Sequence, residues 1–257
     1  MPWKKFTNPD KSFSYAGAAL KKNWRRLHCG DCEPFPDDAE VQEAWRSYHA
    51  GDFRKAVDLG LACGPVGYSV ASKATIVYAT YLETDNERKS ALLLAAAQRC
   101  EEQQNSAPDD ANTWYLHAYA LGRYSQNISV IKALAQGLGG KIKFSLTRAI
   151  ELEPKHADAH IALGAYHAEV IDKVGALVGG LTYGAKKTLG VEHFETALKL
   201  NPESAIARIE FANGLAMMFG NDRIKDAERF YREAAACKPA DATEWLDVAL
   251  AQSEIGD

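Results

Sequence analysis

Two short segments combine residue types that could do chemistry. The first, GGLTYGAKKTLG at residues 179–190, joins glycines to a lysine pair and Thr188, as a phosphate-binding loop does. Such a loop reads G-x-x-x-x-G-K-[ST], whereas Ala185 here separates Gly184 from Lys186. The preceding residues have helical spacing, not the short apolar run of a strand. We therefore do not expect this segment to bind a nucleotide phosphate.

The second segment, HCGDC at residues 28–32, contains a C-x-x-C pair. Structural zinc usually needs two such pairs, and a redox pair normally sits in a βαβ pattern, which is absent. His156, His160 and His167 could share a helix face, but His160 and His167 occupy repeat positions that we expect to pack between helices. No nucleophile, base and carboxylate stand out as a set. We predict a protein that is not an enzyme and has no metal and no cofactor.

Composition limits the class of protein further. The chain has 257 residues, 47% of them hydrophobic and 25% charged, with a net charge of −4. This balance does not favour nucleic-acid binding, and no apolar run is long enough to span a bilayer. Five cysteines without a dense framework, and an N-terminus without an apolar signal core, favour a reduced cytoplasmic location.

The strongest pattern is a repeat marked by proline. The motif P-x-x-A occurs at Pro36, Pro108, Pro154, Pro202 and Pro239. In the last four copies, the residue ten positions after the proline is small: Ala118, Gly164, Ala212 and Ala249. A helix must end before proline, and a small residue in the next helix lets its neighbour approach closely. Stacked units of two antiparallel helices satisfy this pattern.

These units resemble the tetratricopeptide repeat (TPR). The segment EAWRSYHAGDFRKAV (43–57) is similar to its turn and second helix, and HADAHIALGAY (156–166) to its first helix. HFETALKLNP (193–202) and RFYREAAACKP (229–239) are similar to its second helix and closing proline. The resemblance implies an all-α fold, a right-handed superhelix of antiparallel helix pairs, and a role in binding other proteins.

We predict two regions. Residues 1–37 form a basic helical arm that packs on the repeats, with an apolar stripe at Phe13, Ala16, Leu20, Trp24 and Leu27; docking on a membrane is the alternative. Residues 38–257 form the repeat domain, with units at 38–72, 73–110, 111–156, 157–204 and 205–241 and a capping helix at 242–257. The third and fourth units exceed the usual repeat of about 34 residues, so each contains an insertion.

Both insertions are apolar and end in glycines followed by lysines. Neither 111–150 nor 173–191 contains Asp or Glu. We predict that Lys141, Lys143, Lys186 and Lys187 line a pocket for a small anionic or amphipathic ligand, or else are simply solvated. This organisation also resembles, more distantly, the TatT-like repeat proteins associated with TRAP transporters. That resemblance implies a transport accessory for carboxylates or hydrophobic ligands, often a homo-oligomer.

The concave face of the superhelix should present residues from three units. The repeat register places Tyr115, Tyr119, Arg123, Ile161, Asn213 and Met217 there. Tyrosine and arginine are common anchors of partner sites. The leading prediction is an adaptor that holds another protein or peptide in this groove, and the alternative is the ligand-binding accessory.

Overall fold

The protein is built from antiparallel helix pairs that stack in chain order. In the computed structural model, which describes residues 3–7 and 12–255, every regular element is helical. The α-helices are α1 (Ala19–Leu27), α2 (Ala39–His49), α3 (Phe53–Ala62), α4 (Tyr68–Tyr81), α5 (Asn86–Ser106), α6 (Ala111–Gln126), α7 (Val130–Ala135), α8 (Leu138–Leu152), α9 (Ala157–Val174), α10 (Ala176–Tyr183), α11 (Lys187–Leu200), α12 (Ala205–Phe219), α13 (Ile224–Ala235) and α14 (Ala242–Ile255). Short 3-10 helices span Ser12–Ser14, Gly64–Gly67 and Gly220–Arg223. The all-α prediction is confirmed.

The P-x-x-A motif marks the start of a helix in each of its five copies. The alanines of the motif are the first residues of α2, α6, α9, α12 and α14. The residue before the alanine accepts a hydrogen bond from a backbone N–H of the first turn: Asp38, Asp110, His156, Ser204 and Asp241. Such a cap satisfies amides that have no partner inside the helix. The motif is thus a helix stop followed by a helix start.

Five helix pairs and a single final helix form the stack. The pairs are α2 with α3, α4 with α5, α6 with α8, α9 with α11, and α12 with α13. The small residue of the motif has the expected role at Gly164, where an added Cβ would lie 2.9 Å from the Phe194 ring. One expected boundary is wrong: α4 begins at Tyr68, so a division at 72/73 falls inside it. No P-x-x-A motif marks this start, and the turn at Gly64–Gly67 makes the break instead.

The two insertions form the short helices α7 and α10. Helix α10 lies between Gly175 (φ 79°) and Gly184 (φ 64°), both in the left-handed region that favours glycine. Its buried side packs on α9 through Gly179, where an added Cβ would lie 3.1 Å from Val170. α7 and α10 therefore extend the third and fourth repeats without interrupting the stack.

The N-terminal arm lies against the first repeat. Phe13, Leu20 and Trp24 are buried, whereas Ala16 is exposed. The Trp24 ring stacks on His28, with centroids 4.0 Å apart, and meets Trp45 of α2 edge-on at 5.8 Å. Because this apolar stripe is occupied by the repeats, it is not available to a membrane.

The two ends of the superhelix meet. Arg26 of the arm donates two hydrogen bonds to the Glu244 carboxylate of α14, at 2.6 and 2.8 Å. The Thr243 hydroxyl donates to the Tyr48 hydroxyl of α2 at 2.9 Å. A bidentate arginine–carboxylate pair is directional and strong for a surface contact. The last helix thus touches both the arm and the first repeat, which closes the concave groove.

Candidate ligand-binding cavity

The closed groove contains a cavity of about 240 Å³. Its wall comes from α2, α4, α6, α7, α8, α9, α10, α12 and α14, together with residues at the end of the arm. One end, where the arm and α14 meet, is polar and is called here the closure end. The other end lies beside α7 and the start of α8 and is apolar; it is called here the insertion end.

The closure end is built by residues 26–33, which cross the groove and bond to three repeats. The Lys73 ammonium of α4 contacts the Asp31 carboxylate at 2.5 Å. The Asn112 amide of α6 donates to the Asp31 carbonyl at 3.0 Å and to the Glu33 carboxyl at 2.7 Å. The backbone N–H of Asp158, in α9, donates to the Gly30 carbonyl at 2.9 Å. This segment therefore occupies the part of the groove where a peptide could have bound.

The Lys73–Asp31 pair is deeply buried. The two side chains are only 13% and 3% exposed. Burial disfavours both charges, but the attraction between them outweighs it: the pKa of Lys73 is raised and that of Asp31 is held well below its usual value. Both groups are therefore charged, and each depends on the other.

A buried chain of hydrogen bonds joins this pair to α14. His28 Nδ1 lies 2.9 Å from Asp31 Oδ1, His28 Nε2 lies 3.2 Å from His49 Nε2, and His49 Nδ1 lies 2.8 Å from Asp241 Oδ2. The two outer bonds go to carboxylates and the middle one joins two ring nitrogens, so the three bonds need three ring N–H groups, and two neutral imidazoles supply only two. Completing the chain therefore takes one extra proton.

Acidic groups outnumber basic ones on the cavity wall. Its cationic side chains are Arg26, Lys73, Arg123 and Lys173, and its carboxyls are Asp31, Asp158, Glu169, Glu210, Asp241, Glu244 and Asp247. Within residues 3–7 and 12–255, Asp158, Glu169 and Asp247 form no ion pair. Burial raises the pKa of Asp158 to about 6 and that of Asp247 to about 8. A cation at the closure end would find Asp158 and Asp247 without an ion-pair partner in the described chain.

The insertion end presents aliphatic side chains. They come from α7, α8 and α9 and include Leu134, Leu138, Ile142, Leu146, Val170 and Val174. Tyr166 and Tyr183 also line the wall, and the Tyr166 hydroxyl donates to the Tyr183 carbonyl at 3.4 Å. The cavity as a whole therefore has one polar and one apolar end, which suits an amphipathic molecule.

Comparison with known proteins identifies the architecture. No family model and no curated protein matches the sequence. A solved structure does: TTC0263, a thermophilic TPR protein of Thermus thermophilus, aligns with a TM-score of 0.58. The alignment covers 83% of this chain and 97% of that chain, at 15% sequence identity. The chain has a TPR-like fold.

Four of the residues predicted for the concave face of the TPR-like superhelix line the cavity: Tyr115, Tyr119, Arg123 and Ile161. The Tyr115 and Tyr119 rings stack with centroids 5.8 Å apart. Arg123 lies over the Tyr119 ring and donates to the Glu210 carboxylate at 2.7 Å. Because Tyr115 is buried and Arg123 is paired, these side chains face a closed interior and not an open groove.

Asn213 and Met217 lie outside the cavity. The Asn213 side-chain oxygen accepts a hydrogen bond from the Tyr231 hydroxyl at 2.6 Å, so this residue joins α12 to α13. Met217 is exposed on α12. The fifth repeat contributes Ala205, Ile206 and Glu210 to the cavity wall in their place.

The four predicted lysines do not line the cavity. Lys141 and Lys186 are exposed. Lys143 donates to the Tyr183 carbonyl at 2.8 Å, where it closes the end of α10, and the Lys187 ammonium lies 4.9 Å from the centre of the Phe219 ring. Helices α7 and α8 direct aliphatic side chains towards the cavity and their lysines away from it, as amphipathic helices do, whereas α10 contributes only Tyr183 to the wall. The idea of a cationic pocket made by the insertions is therefore wrong.

Sequence reasoning missed the buried charges of the closure end. Asp31 lies inside the C-x-x-C pair, and Lys73 lies in the second unit, whose start no P-x-x-A motif marks. Asp158 and Asp247 each follow a P-x-x-A motif, in the first turn of α9 and the second turn of α14. Acidic residues at such positions ordinarily face solvent, so nothing in their spacing distinguished them.

The cysteine and histidine motifs have structural roles. The Cys29 thiol faces the Leu200 carbonyl and the Cys32 thiol faces the Lys155 carbonyl, and burial raises the pKa of Cys32 to about 11. A thiol with a raised pKa is a poor nucleophile. His156 caps α9, and His160 pairs with His193 at 2.9 Å. Within residues 3–7 and 12–255, no three His, Cys, Asp or Glu side chains are grouped to bind a metal.

None of the helices in the described part of the chain combines the length and hydropathy needed to cross a bilayer.

Proposed function

We propose that this TPR-like protein is a non-catalytic binding protein for a small amphipathic molecule held in the closed groove. One observation carries the proposal: the arm and α14 meet at Arg26 and Glu244, so the concave groove is reduced to a cavity of about 240 Å³. A cavity of this kind, apolar with a few convergent polar groups, is the usual form of a small-molecule site.

The acidic wall indicates the chemistry of the head group. Asp158 and Asp247 have no cationic partner in the described chain, and leaving a carboxylate buried and unpaired is costly. A head group that carries a positive charge or several N–H donors would relieve this cost. The aliphatic end would take its apolar body. An anionic head group, by contrast, would disfavour ionisation of these carboxyls still further.

Native mass spectrometry of gently purified protein tests whether the cavity holds a molecule. We expect an extra mass of a few hundred daltons that is lost on denaturation. Ala165→Phe, on the cavity wall, should abolish the extra mass, whereas Ala216→Phe, exposed on α12, should keep it. Equal occupancy in the two variants would place the ligand elsewhere.

A matched pair of probes tests the head group. Octylamine and octanoate share one apolar chain and differ in the sign of the charge. Calorimetric titration should show saturable binding of octylamine and at least tenfold weaker binding of octanoate, because one unpaired buried charge is worth more than about 1.4 kcal/mol. Preference for octanoate, or no saturable binding of either probe to ligand-free protein, would overturn the proposal.

A protein partner is the second candidate, and the TPR-like fold supports it. Such a partner would bind the surface outside the groove, because residues 26–33 and α14 occupy the concave face. Co-purification with Tyr115→Ala/Tyr119→Ala separates the two functions. A partner on the outer surface should be retained by this variant, whereas a peptide in the groove should be lost.

A further inference from the structure

Helix α10 exposes an apolar face that no part of the described chain covers. Leu177 and Leu181, one helical turn apart, are 77% and 82% exposed, and Val178 beside them is 49% exposed. The opposite face, at Gly179, packs on α9. The eight residues of α10 include no charged side chain. Exposed aliphatic residues that cluster on one helix face mark an interaction site, in contrast to single ones scattered over a surface.

Helix α7 adds to this apolar surface at the insertion end. Val130 and Leu134 are partly exposed and also line the cavity. The ends of the two insertions are joined: the Lys143 side chain of α8 donates to the last carbonyl of α10, and Tyr183 lies 3.4 Å from a Cβ built at Gly139. The exposed residues Val130, Leu134, Leu177, Val178 and Leu181 are called here the mouth patch.

Lysines surround the mouth patch. Lys173 lies in the last turn of α9 just before α10, Lys186 follows α10, and Lys132 lies close to Leu134 on α7; all three are exposed. None of the three forms an ion pair in the described chain. The segments that carry them, 111–150 and 173–191, contain no Asp or Glu, although the net charge of the chain is −4. The charges around the mouth patch are thus mainly positive, with Asp172 and Glu169 as the acidic neighbours of Lys173.

We infer that the mouth patch docks on an anionic lipid surface, with Leu177 and Leu181 entering the acyl boundary and Lys132, Lys173 and Lys186 facing the lipid phosphates. Apolar side chains ringed by lysines are the pattern by which helices lie in a membrane interface. The aliphatic end of the cavity lies beside the patch, so an amphipathic ligand would pass between bilayer and cavity without its apolar body crossing water. The docking itself does not depend on the proposed ligand.

Vesicle co-sedimentation of the full chain tests this inference. Wild-type protein should bind vesicles of phosphatidylcholine mixed with phosphatidylglycerol, and binding should weaken at high salt. Leu177→Asp/Leu181→Asp should reduce binding at least tenfold. Lys132→Glu/Lys186→Glu should reduce it by at least about 25-fold, because each lysine near an anionic surface contributes about fivefold. Val66→Asp, which alters a 68% exposed aliphatic residue on another surface, is the matched control and should bind as wild type.

Three results would overturn the inference. The first is no binding of the wild type to phosphatidylglycerol vesicles, and the second is unchanged binding of Leu177→Asp/Leu181→Asp. The third is that light scattering detects a wild-type dimer, that Leu177→Asp/Leu181→Asp is monomeric, and that neither protein binds vesicles. This result would assign the patch to self-association. Octylamine titration of the same variants keeps the two proposals apart, since Leu177 and Leu181 do not line the cavity.

Discussion

The two ends of the cavity differ in how the chain holds them. At the closure end, buried charges and imidazoles bond across the arm, three repeats and α14. At the insertion end, two short helices rest on the repeats with much of their aliphatic surface in contact with solvent. Directional polar contacts specify one arrangement, whereas exposed aliphatic contacts leave local structure less stable. We therefore expect the closure end to be the rigid base of the site and the insertion end to be its entrance.

The largest effect should come from Lys73 at the closure end. Lys73→Met would leave the buried Asp31 carboxylate without its ammonium partner, so we expect a loss of about 3–5 kcal/mol in the free energy of unfolding. Urea denaturation measures it. Lys55→Met is the control, because Lys55 and Glu43 form an exposed pair that is worth less than about 1 kcal/mol. Similar losses in the two variants would contradict the assigned difference between buried and exposed pairs.

The contact between the arm and α14 should have the next largest effect. Arg26→Met removes the bidentate pair with Glu244, and we expect a loss of about 2 kcal/mol together with faster hydrogen exchange in α14. Arg26→Lys should keep only part of the lost unfolding free energy, because an ammonium cannot make the paired bonds of a guanidinium. Unchanged exchange in α14 would show that the arm does not hold the last helix.

Asp247 should make the closure end sensitive to pH. Burial raises its pKa from 3.8 to about 8 in the folded protein, so the folded state binds a proton that the unfolded state has lost. Stability from this group is therefore lost as the pH rises towards 8. Between about pH 6.5 and 8, unfolding free energy should fall by about 2 kcal/mol more in wild type than in Asp247→Asn, at about 1.4 kcal/mol per pH unit.

The asparagine variant is well matched, because its side-chain oxygen still accepts a hydrogen bond from the Tyr81 hydroxyl. His28 and His156 do not confuse the comparison, since their pKa values are lowered to about 4 and they titrate below this window. Urea denaturation of wild type and Asp247→Asn at several pH values measures this difference. Parallel pH profiles for the two proteins would show that Asp247 is ionised in the fold.

The smallest effect should come from the exposed face of the insertion end. Leu181→Ser should change the free energy of unfolding by less than about 0.5 kcal/mol, because the side chain already contacts solvent. Leu146→Ala is the comparison within the same end, since Leu146 is fully buried and should cost about 2–5 kcal/mol. A large loss from Leu181→Ser would mean that α10 is packed more tightly than its exposure indicates.

Residues close together in the sequence were enough to predict the repeat. Proline stops one helix and the capping residue two positions later starts the next, so Pro154, His156 and Ala157 define the start of α9 without distant contacts. The small residue at Gly164 predicted a close neighbour, and Phe194 fills that place. The second unit lacks the motif, and there the expected boundary at 72/73 fell inside α4.

The candidate site was only partly predictable. Tyr115, Tyr119, Arg123 and Ile161, chosen from the repeat register, all line the cavity, since helical periodicity decides which side of a helix a residue occupies. The repeat register did not predict which way the inserted segments face, because a short helix between glycines can turn either face towards the cavity. The lysines predicted to line the pocket therefore lie outside it. For α10 the direction is set by the contact of Gly179 with Val170.

The sequence by itself determined the helix pairs, their order and the inner face, because these depend on residues within one or two turns of each other. Only the tertiary structure decided that the groove is closed. That closure rests on pairs far apart in the chain, Arg26 with Glu244 and His49 with Asp241, which meet only when all the helix pairs have stacked. Such contacts follow no sequence period or spacing, so the narrowing of the groove to a cavity is a property of the whole stack.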